Sequence, residues 1–202
     1  MNEGFTVWFT GLTAAGKTTV ARLVARELLE RGFRVELLDG DEVRKNLSQG
    51  LGFSREDRDR NVLRIGYVCK LLSRNGVVAI AAAVSPYRET REKLRADIGN
   101  FVEVYVSCPI QVCSERDYKG IYKALQEGRI SQVSGLDDPY EEPQNPEVII
   151  RTHQETPEES AAKVITALEE LGYVAPKDLG SLGYSEEERL LLEKRLSELG
   201  YI

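Results

Sequence analysis

Short apolar runs rich in β-branched and aromatic residues alternate along the chain with longer stretches whose apolar positions recur every three or four residues. The runs are residues 5–10 (FTVWFT), 33–38 (FRVELL), 77–84 (VVAIAAAV), 101–106 (FVEVYV) and 147–152 (EVIIRT). Such strands, separated by helix-length segments, predict a parallel sheet covered on both faces. Between them, Val20, Leu23, Val24 and Leu28, and then Val62, Ile65, Val68, Cys69 and Leu72, fall on one side of a helix. Each set is a stripe aimed at the sheet. Gly32 and Gly76 stand where those helices should stop. Pro157 opens a further helical segment, 157–171, with Ala161, Val164, Ile165 and Leu168 as its buried stripe. The predicted fold class is therefore α/β, with a five-stranded parallel sheet and helices on both faces.

Residues 117–146 break the pattern with basic, Gly-rich and Pro-rich sequence that includes DDPYEEPQNP, and predict a loop or lid. From Pro176 the character changes again. Ser185 followed by Glu188 makes a capping-box signature, and an acidic, leucine-bearing helix runs toward Gly200. The expected division is one domain over 1–175 and a C-terminal helical appendage over 176–202. Leu-Gly-Tyr recurs at 171, 182 and 199, but the unequal spacing excludes a regular repeat.

Composition narrows the function classes. With 42% hydrophobic and 30% charged residues in a chain of 202, the sequence reads as one globular domain. No apolar run approaches the ~18 residues of a membrane span. The first apolar run is entered at Phe5 without a basic or long apolar lead, so no secretory signal and a cytoplasmic location are expected. A net charge of −6 offers no general attraction to a nucleic-acid backbone, so an anionic ligand must be held by local basic clusters. Cys69, Cys108 and Cys113 are odd in number and contain no CxxC pair, which favours buried free thiols over disulfides or a zinc site.

The chemistry starts at GLTAAGKT, residues 11–18, which fits G-x-x-x-x-G-K-[ST] between a strand and a helix. In such a phosphate-binding loop Gly11, Leu12, Thr13, Ala14, Ala15 and Gly16 present backbone N–H groups to phosphate oxygens at the start of a helix that continues through Thr19. Lys17 reaches the β- and γ-phosphates of ATP, and Thr18 supplies a hydroxyl to Mg²⁺. The run VVAIAAAV ends without the carboxylate such enzymes need near the metal. LLDGDEVR supplies two, Asp39 and Asp41, at the predicted carboxyl end of the second strand. One can organise Mg²⁺ and the other can take a proton from an attacking hydroxyl. The same two residues also suit a turn and the cap of a helix starting near Glu42. Arg44, Arg55, Arg58, Arg60 and Arg64 surround GLGFSREDRDRN, a charge mixture that suits either a solvated helix face or a site where guanidinium groups hold phosphate or sulfate and Phe53 stacks on a base.

The blocks DGDEVR, GFSREDRDRN, VSPYR, ERDYKGIY and GLDDPYEEPQNPE, in this order, resemble those of the adenylylsulfate kinases over about residues 4–172. The resemblance implies transfer of phosphate from MgATP to the 3′-hydroxyl of adenosine 5′-phosphosulfate. It implies that Asp41, Arg44, Phe53, Arg58 and Asn61 line the acceptor site, with Asp41 as base and Phe53 against the adenine. Ser85 and the adjoining Val84 of VSPYR match a substrate-contacting segment whose serine is sometimes described as a phosphoserine intermediate. Arg116 and Lys119 match lid positions over the nucleotide base and the transferred phosphate. A homodimer is also implied, and the acidic tail makes association with ATP sulfurylase a further expectation.

Departures from the family pattern fall at Ser131 and Val133, where a lysine and a phenylalanine are usual. Loss of a stacking ring can weaken base binding by roughly 1–3 kcal/mol. Thr13, Ala14 and Ala15 make a stiffer loop than the usual Ser-Gly-Ala or similar residues, and His153, the only histidine, stands at a usual aspartate and reads as a packing or surface residue. A related kinase for another nucleotide or small hydroxyl acceptor, and a non-catalytic nucleotide-binding subunit, remain as alternative readings at this level.

Overall fold

The computed structural model describes residues 4–177. Five strands form one parallel sheet, β1 (Thr6–Thr10), β2 (Val35–Asp39), β3 (Val78–Ala82), β4 (Phe101–Ser107) and β5 (Val148–Arg151), in the order β2-β3-β1-β4-β5. The helices are α1 (Lys17–Glu30), α2 (Gly40–Asn46), α3 (Arg55–Ser73), α4 (Arg88–Ile98), α5 (Ile110–Arg116), α6 (Ile121–Gln126) and α7 (Pro157–Glu170). All five strands appear within two residues of the expected bounds, and Gly32 and Gly76 take positive φ angles of 82° and 71° just beyond α1 and α3. The two short helices α2 and α6 and the neighbouring α5 are too brief for periodicity to reveal.

The chain falls into two compact units. The first runs to Ala167 and holds the whole sheet; the second begins at Leu168, and its described part is the end of α7 and the residues to 177. The expected capping box at Ser185 and the appendage helix lie outside the described residues.

Alternation along the strands sorts the core. β1 is buried over its whole length because β3 and β4 flank it and both faces are covered. Trp8 points to the face where Ala79 and Ala81 of β3 and Phe101 of β4 meet Val62, Ile65 and Cys69 of α3 and Leu94 of α4. Trp8 and Phe101 stack with centroids 6.0 Å apart. Val7 and Phe9 point the other way, toward the face that carries α1 with its buried Val20, Ala21, Val24, Ala25 and Leu28. The edge strand β2 is only half-buried, which suits its alternating sequence. No helix among the described residues is long and apolar enough to cross a membrane.

The segment 117–146 forms a lid with definite anchors. Tyr122 on α6 and Val133 in the following loop are buried, and the Asp137 carboxylate accepts hydrogen bonds from the backbone N–H groups of Gln132 and Val133. After β5, α7 begins at Pro157, as expected, behind a capping box: Thr156 Oγ1 accepts from Glu159 N at 3.1 Å, and Glu159 Oε2 accepts from Thr156 N at 2.8 Å. Thr156→Ala should therefore lower the stability by about 1 kcal/mol in urea unfolding, with an unchanged denaturant slope. No loss would mean that the helix start is held by other contacts.

Candidate active site

A cavity of about 1110 Å³ opens at the carboxyl edge of the sheet, large enough for two nucleotide-sized ligands. Its floor is the loop between β1 and α1. Gly11 has a φ of 149°, and a Cβ there would come within 2.6 Å of the Val106 carbonyl oxygen, so glycine allows the loop to lie against β4. Gly16 caps α1 in a left-handed conformation with φ 97°. Ala14 also has a positive φ, 60°, but it carries a Cβ. That conformation costs an L-residue roughly 1–2 kcal/mol.

Thr13, Ala14, Gly16, Lys17, Thr18 and Thr19 line the cavity, whereas Gly11, Leu12 and Ala15 stand behind it. Those three act through their backbone. The Lys17 ammonium donates to the Gly11 and Leu12 carbonyls at 2.9 and 2.7 Å, and Ala15 O accepts from Thr152 Oγ1 at 2.7 Å. Burial, and then the charge of Lys119, push the Lys17 pKa down to about 8.

Asp39 makes the cap that the sequence allowed and also binds the phosphate loop. Its Oδ2 accepts the Thr18 hydroxyl at 2.7 Å, and its Oδ1 caps α2 by accepting from Asp41 N at 2.9 Å. Burial alone would raise its pKa, but the hydrogen bonds from Thr18 and Asp41 outweigh it and hold the group ionised. Asp41 is not grouped with Thr18 and Asp39; its Oδ2 pairs with the Lys119 ammonium. Burial pushes the Lys119 pKa down, and the Asp41 hydrogen bond and charge more than reverse that, leaving it raised. The three expected metal residues thus divide into a Thr18–Asp39 pair and an Asp41–Lys119 pair.

Farther along α2, Arg44 donates to the Gly52 carbonyl at 3.0 Å, and its guanidinium lies 4.6 Å from the centroid of the exposed Phe53 ring. Arg58 approaches the same ring at 5.5 Å, donates to Phe53 O at 2.9 Å and reaches Gln132 O in the lid. Burial, then the neighbouring Arg58 charge, lowers the Arg44 pKa. Two guanidinium groups held so close repel one another until an anion enters. Asn61, buried with Oδ1 unpartnered among the described residues, lines this end with Val84 and Val133. Ser85 is also at the wall, but its side chain is 2% exposed. Its Oγ accepts from Trp8 Nε1 at 3.0 Å and meets Thr10 Oγ1 at 3.0 Å, so the hydroxyl that the motif offered as a substrate contact or phosphate carrier is turned into the core.

Arg116, at the end of α5, donates to Thr152 O at 2.7 Å and to Thr152 Oγ1 at 3.3 Å. Thr152, Glu155 and Pro157 also line the cavity; the sequence marked Thr152 as a strand end and Pro157 as a helix start but gave none of the three a role in the site. Tyr122 ties the lid to the loop by donating to Thr13 O at 2.9 Å. Exposed Ser131 and buried Val133 both border the cavity. His153 is half-buried with Nδ1 unpartnered among the described residues, and it does not line the cavity. All three cysteines are buried and free, and burial pushes Cys69 and Cys113 up to about 12.

The family model described as adenylylsulphate kinase matches residues 3–151. The chain belongs to the adenylylsulphate kinase family. It is 55% identical to an adenylyl-sulfate kinase of Rippkaea orientalis over 86% of this chain and 96% of that protein. It is 58% identical to the "Probable bifunctional SAT/APS kinase 2" of Sorangium cellulosum, over 85% of this chain but 30% of that longer protein. Among solved structures, the Mycobacterium tuberculosis APS kinase in complex with AMPPNP and APS matches at 42% identity with a TM-score of 0.80, covering 84% of this chain and 99% of that one.

Two predictions follow from the loop. Ala14→Gly should raise stability by about 1 kcal/mol in chemical denaturation, since glycine adopts this backbone without strain; a loss would show that the Ala14 conformation is not strained. Lys17 gives a pH dependence. Its folded pKa near 8 lies below the unfolded 10.5, so this group makes stability rise with pH across that window. Nucleotide phosphates favour the charged form, so a non-hydrolysable ATP analogue should bind with constant affinity just below pH 8 and weaken by up to about tenfold per unit above it. Calorimetry should show proton uptake there, absent in Lys17→Met; a flat profile in the parent protein would contradict it.

Proposed function

We propose that this protein is an adenylylsulfate kinase that transfers the γ-phosphate of ATP directly to the 3′-hydroxyl of adenosine 5′-phosphosulfate. The observation that carries the reading is the order of groups along one short element: on α2, Asp41 follows the capping Asp39 by two residues and precedes Arg44 by three. Asp39 reaches back to Thr18 in the phosphate loop, and Arg44 reaches forward to Phe53. A carboxylate thus stands between a triphosphate-binding floor and an anion-and-base pocket, in a chain of this family.

In this reading the loop N–H groups and Lys17 hold the donor phosphates, and Arg116 and Thr152 border its base. Thr18 and Asp39 present adjacent hard oxygen donors, which fit a Mg²⁺ ion that keeps water and phosphate oxygens as its other ligands. When bound, Mg²⁺ supplies charge neutralisation at the phosphates. Arg44 and Arg58 hold the phosphosulfate, and Phe53, Asn61, Val84 and Val133 enclose the nucleoside. Asp41 accepts the proton of the 3′-hydroxyl as its oxygen bonds to the γ-phosphorus, while the bond to the β,γ-bridging oxygen breaks and ADP leaves. Lys119, released from Asp41, meets the charge on the phosphoryl group in flight. Ser85 shapes the wall through its backbone and takes no phosphate, because its hydroxyl is committed to Trp8 and Thr10.

The proposal extends to a cytoplasmic homodimer and to association with ATP sulfurylase, which light scattering of the protein alone and with the sulfurylase added would read. For the reaction itself, ADP release with MgATP should require adenosine 5′-phosphosulfate and fail with AMP, CMP or gluconate. Asp41→Ala should lower kcat by about 10²–10⁴ with little change in nucleotide affinity. Turnover confined to another acceptor would assign the acceptor half, with Ser131 and Val133, to a different substrate, and nucleotide binding without any turnover would make the protein a non-catalytic subunit.

A further inference from the structure

Arg91 on α4 is among the most buried side chains of the described residues, at 2% exposure, and it does not line the cavity. Its guanidinium nevertheless joins three separate segments. Nε donates to Glu103 Oε1 on β4 at 2.7 Å, one terminal nitrogen to Ser85 O at 2.7 Å, and the other to Glu141 O at 2.6 Å. Ser85 belongs to the acceptor wall and has a φ of 41°, a left-handed conformation that a non-glycine residue keeps only when its surroundings impose it. Glu141 belongs to the segment that returns from the lid.

That return segment is joined to the wall at several points. Glu141 N donates to Pro86 O at 2.8 Å, Arg88 N to Glu141 Oε2 at 2.8 Å, and Tyr87 Oη to Asp138 Oδ2 at 3.2 Å. The Tyr140 hydroxyl meets Thr10 Oγ1 at 3.0 Å. The lid loop hangs from this seam, since Asp138 N donates to Val133 O at 3.3 Å. A buried Arg–Glu pair adds little net stability over apolar packing, because desolvation offsets its attraction. What a guanidinium provides is a rigid fork whose N–H groups reach several acceptors at once.

We propose that Arg91 is a positioning residue for the acceptor half of the site, holding the Val84–Ser85 wall and the lid loop of Val133 in register while leaving the nucleotide half untouched. This rests on the kinase reading above. Arg91→Lys keeps a positive charge beside Glu103 but cannot span all three partners. It should raise KM for adenosine 5′-phosphosulfate by at least about tenfold, while the Kd of a non-hydrolysable ATP analogue, measured without acceptor, stays within about twofold of the parent value.

Arg95→Lys is the control. Arg95 also pairs with Glu103 but otherwise reaches Glu147 and the Phe101 carbonyl, not the wall or the lid return, so its kinetic constants should not move. Should Arg91→Lys fail to fold, Tyr140→Phe removes one bond of the same seam and should raise the acceptor KM at least about threefold. Hydrogen–deuterium exchange makes the test independent of the acceptor's identity. Arg91→Lys should speed exchange in 84–88 and 130–142 and leave 11–19 unchanged, even if the parent protein does not turn over adenosine 5′-phosphosulfate, a result that would overturn the kinase reading alone. An acceptor KM that is unmoved, or that rises in step with the nucleotide Kd, would overturn the proposal, as would faster exchange spread evenly over the chain.

Discussion

The burial of β1 between β3 and β4 is the constraint on which the site depends. With both neighbours parallel to it, the loops that leave β1, β3 and β4 emerge at one edge, and β2 adds its own beyond β3. The phosphate loop, the Val84–Ser85 wall and the start of α2 meet there because the strand register brings them level: Phe9 lies beside Ala82, and Asp39 also lies beside Ala82 across β3. Gly11 can then settle against the Val106 carbonyl, a contact any side chain would block. The phosphate loop, the Val84–Ser85 wall and the start of α2 take their positions in the cavity from that edge.

Asp39 converts this convergence into a connected site. One carboxylate oxygen takes the Thr18 hydroxyl and the other starts α2, so the helix carrying Asp41 and Arg44 is anchored directly to the loop that receives phosphate. A short helix of seven residues has little intrinsic stability, and its cap matters correspondingly. The Asp41–Lys119 pair then links the lid to the same helix. The phosphate loop, Asp41 and the Arg44–Phe53 end of the cavity, which the proposed function makes donor floor, base and acceptor pocket, are thereby held by a chain of polar contacts rather than by separate loops. Lys17, drawn onto the carbonyls of its own loop and easier to deprotonate than an exposed lysine, marks where that chain awaits an anion.

Much of this was legible in the chain. The strand–GLTAAGKT–helix sequence carried the loop, and continuous apolar runs carried the parallel sheet, because both are local patterns with few structural alternatives. Asp39 was legible as either a metal-side carboxylate or a cap, and geometry shows that one side chain caps α2 and also takes the hydroxyl of Thr18. Thr152 and Arg91 were not legible. Thr152 acts through its position after β5, and Arg91 sits in RETREKLRADI, whose charges look like a solvated helix face. Its burial comes from β4 supplying Glu103 on the inward side of the sheet, a long-range contact that no local spacing encodes. Ser85 illustrates the converse: a serine in a family motif reads as chemistry, and only the Trp8 indole and Thr10 hydroxyl show that its oxygen is already engaged.

The central claim is a single direct transfer between two ligands held in one cavity. The most direct test is the stereochemical course at phosphorus, followed with ATP made chiral at the γ-position and adenosine 5′-phosphosulfate as acceptor. One in-line displacement predicts inversion of configuration in the 3′-phosphorylated product. Retention would require two displacements through a phosphorylated enzyme group, and would contradict both the direct transfer and the structural role given to Ser85.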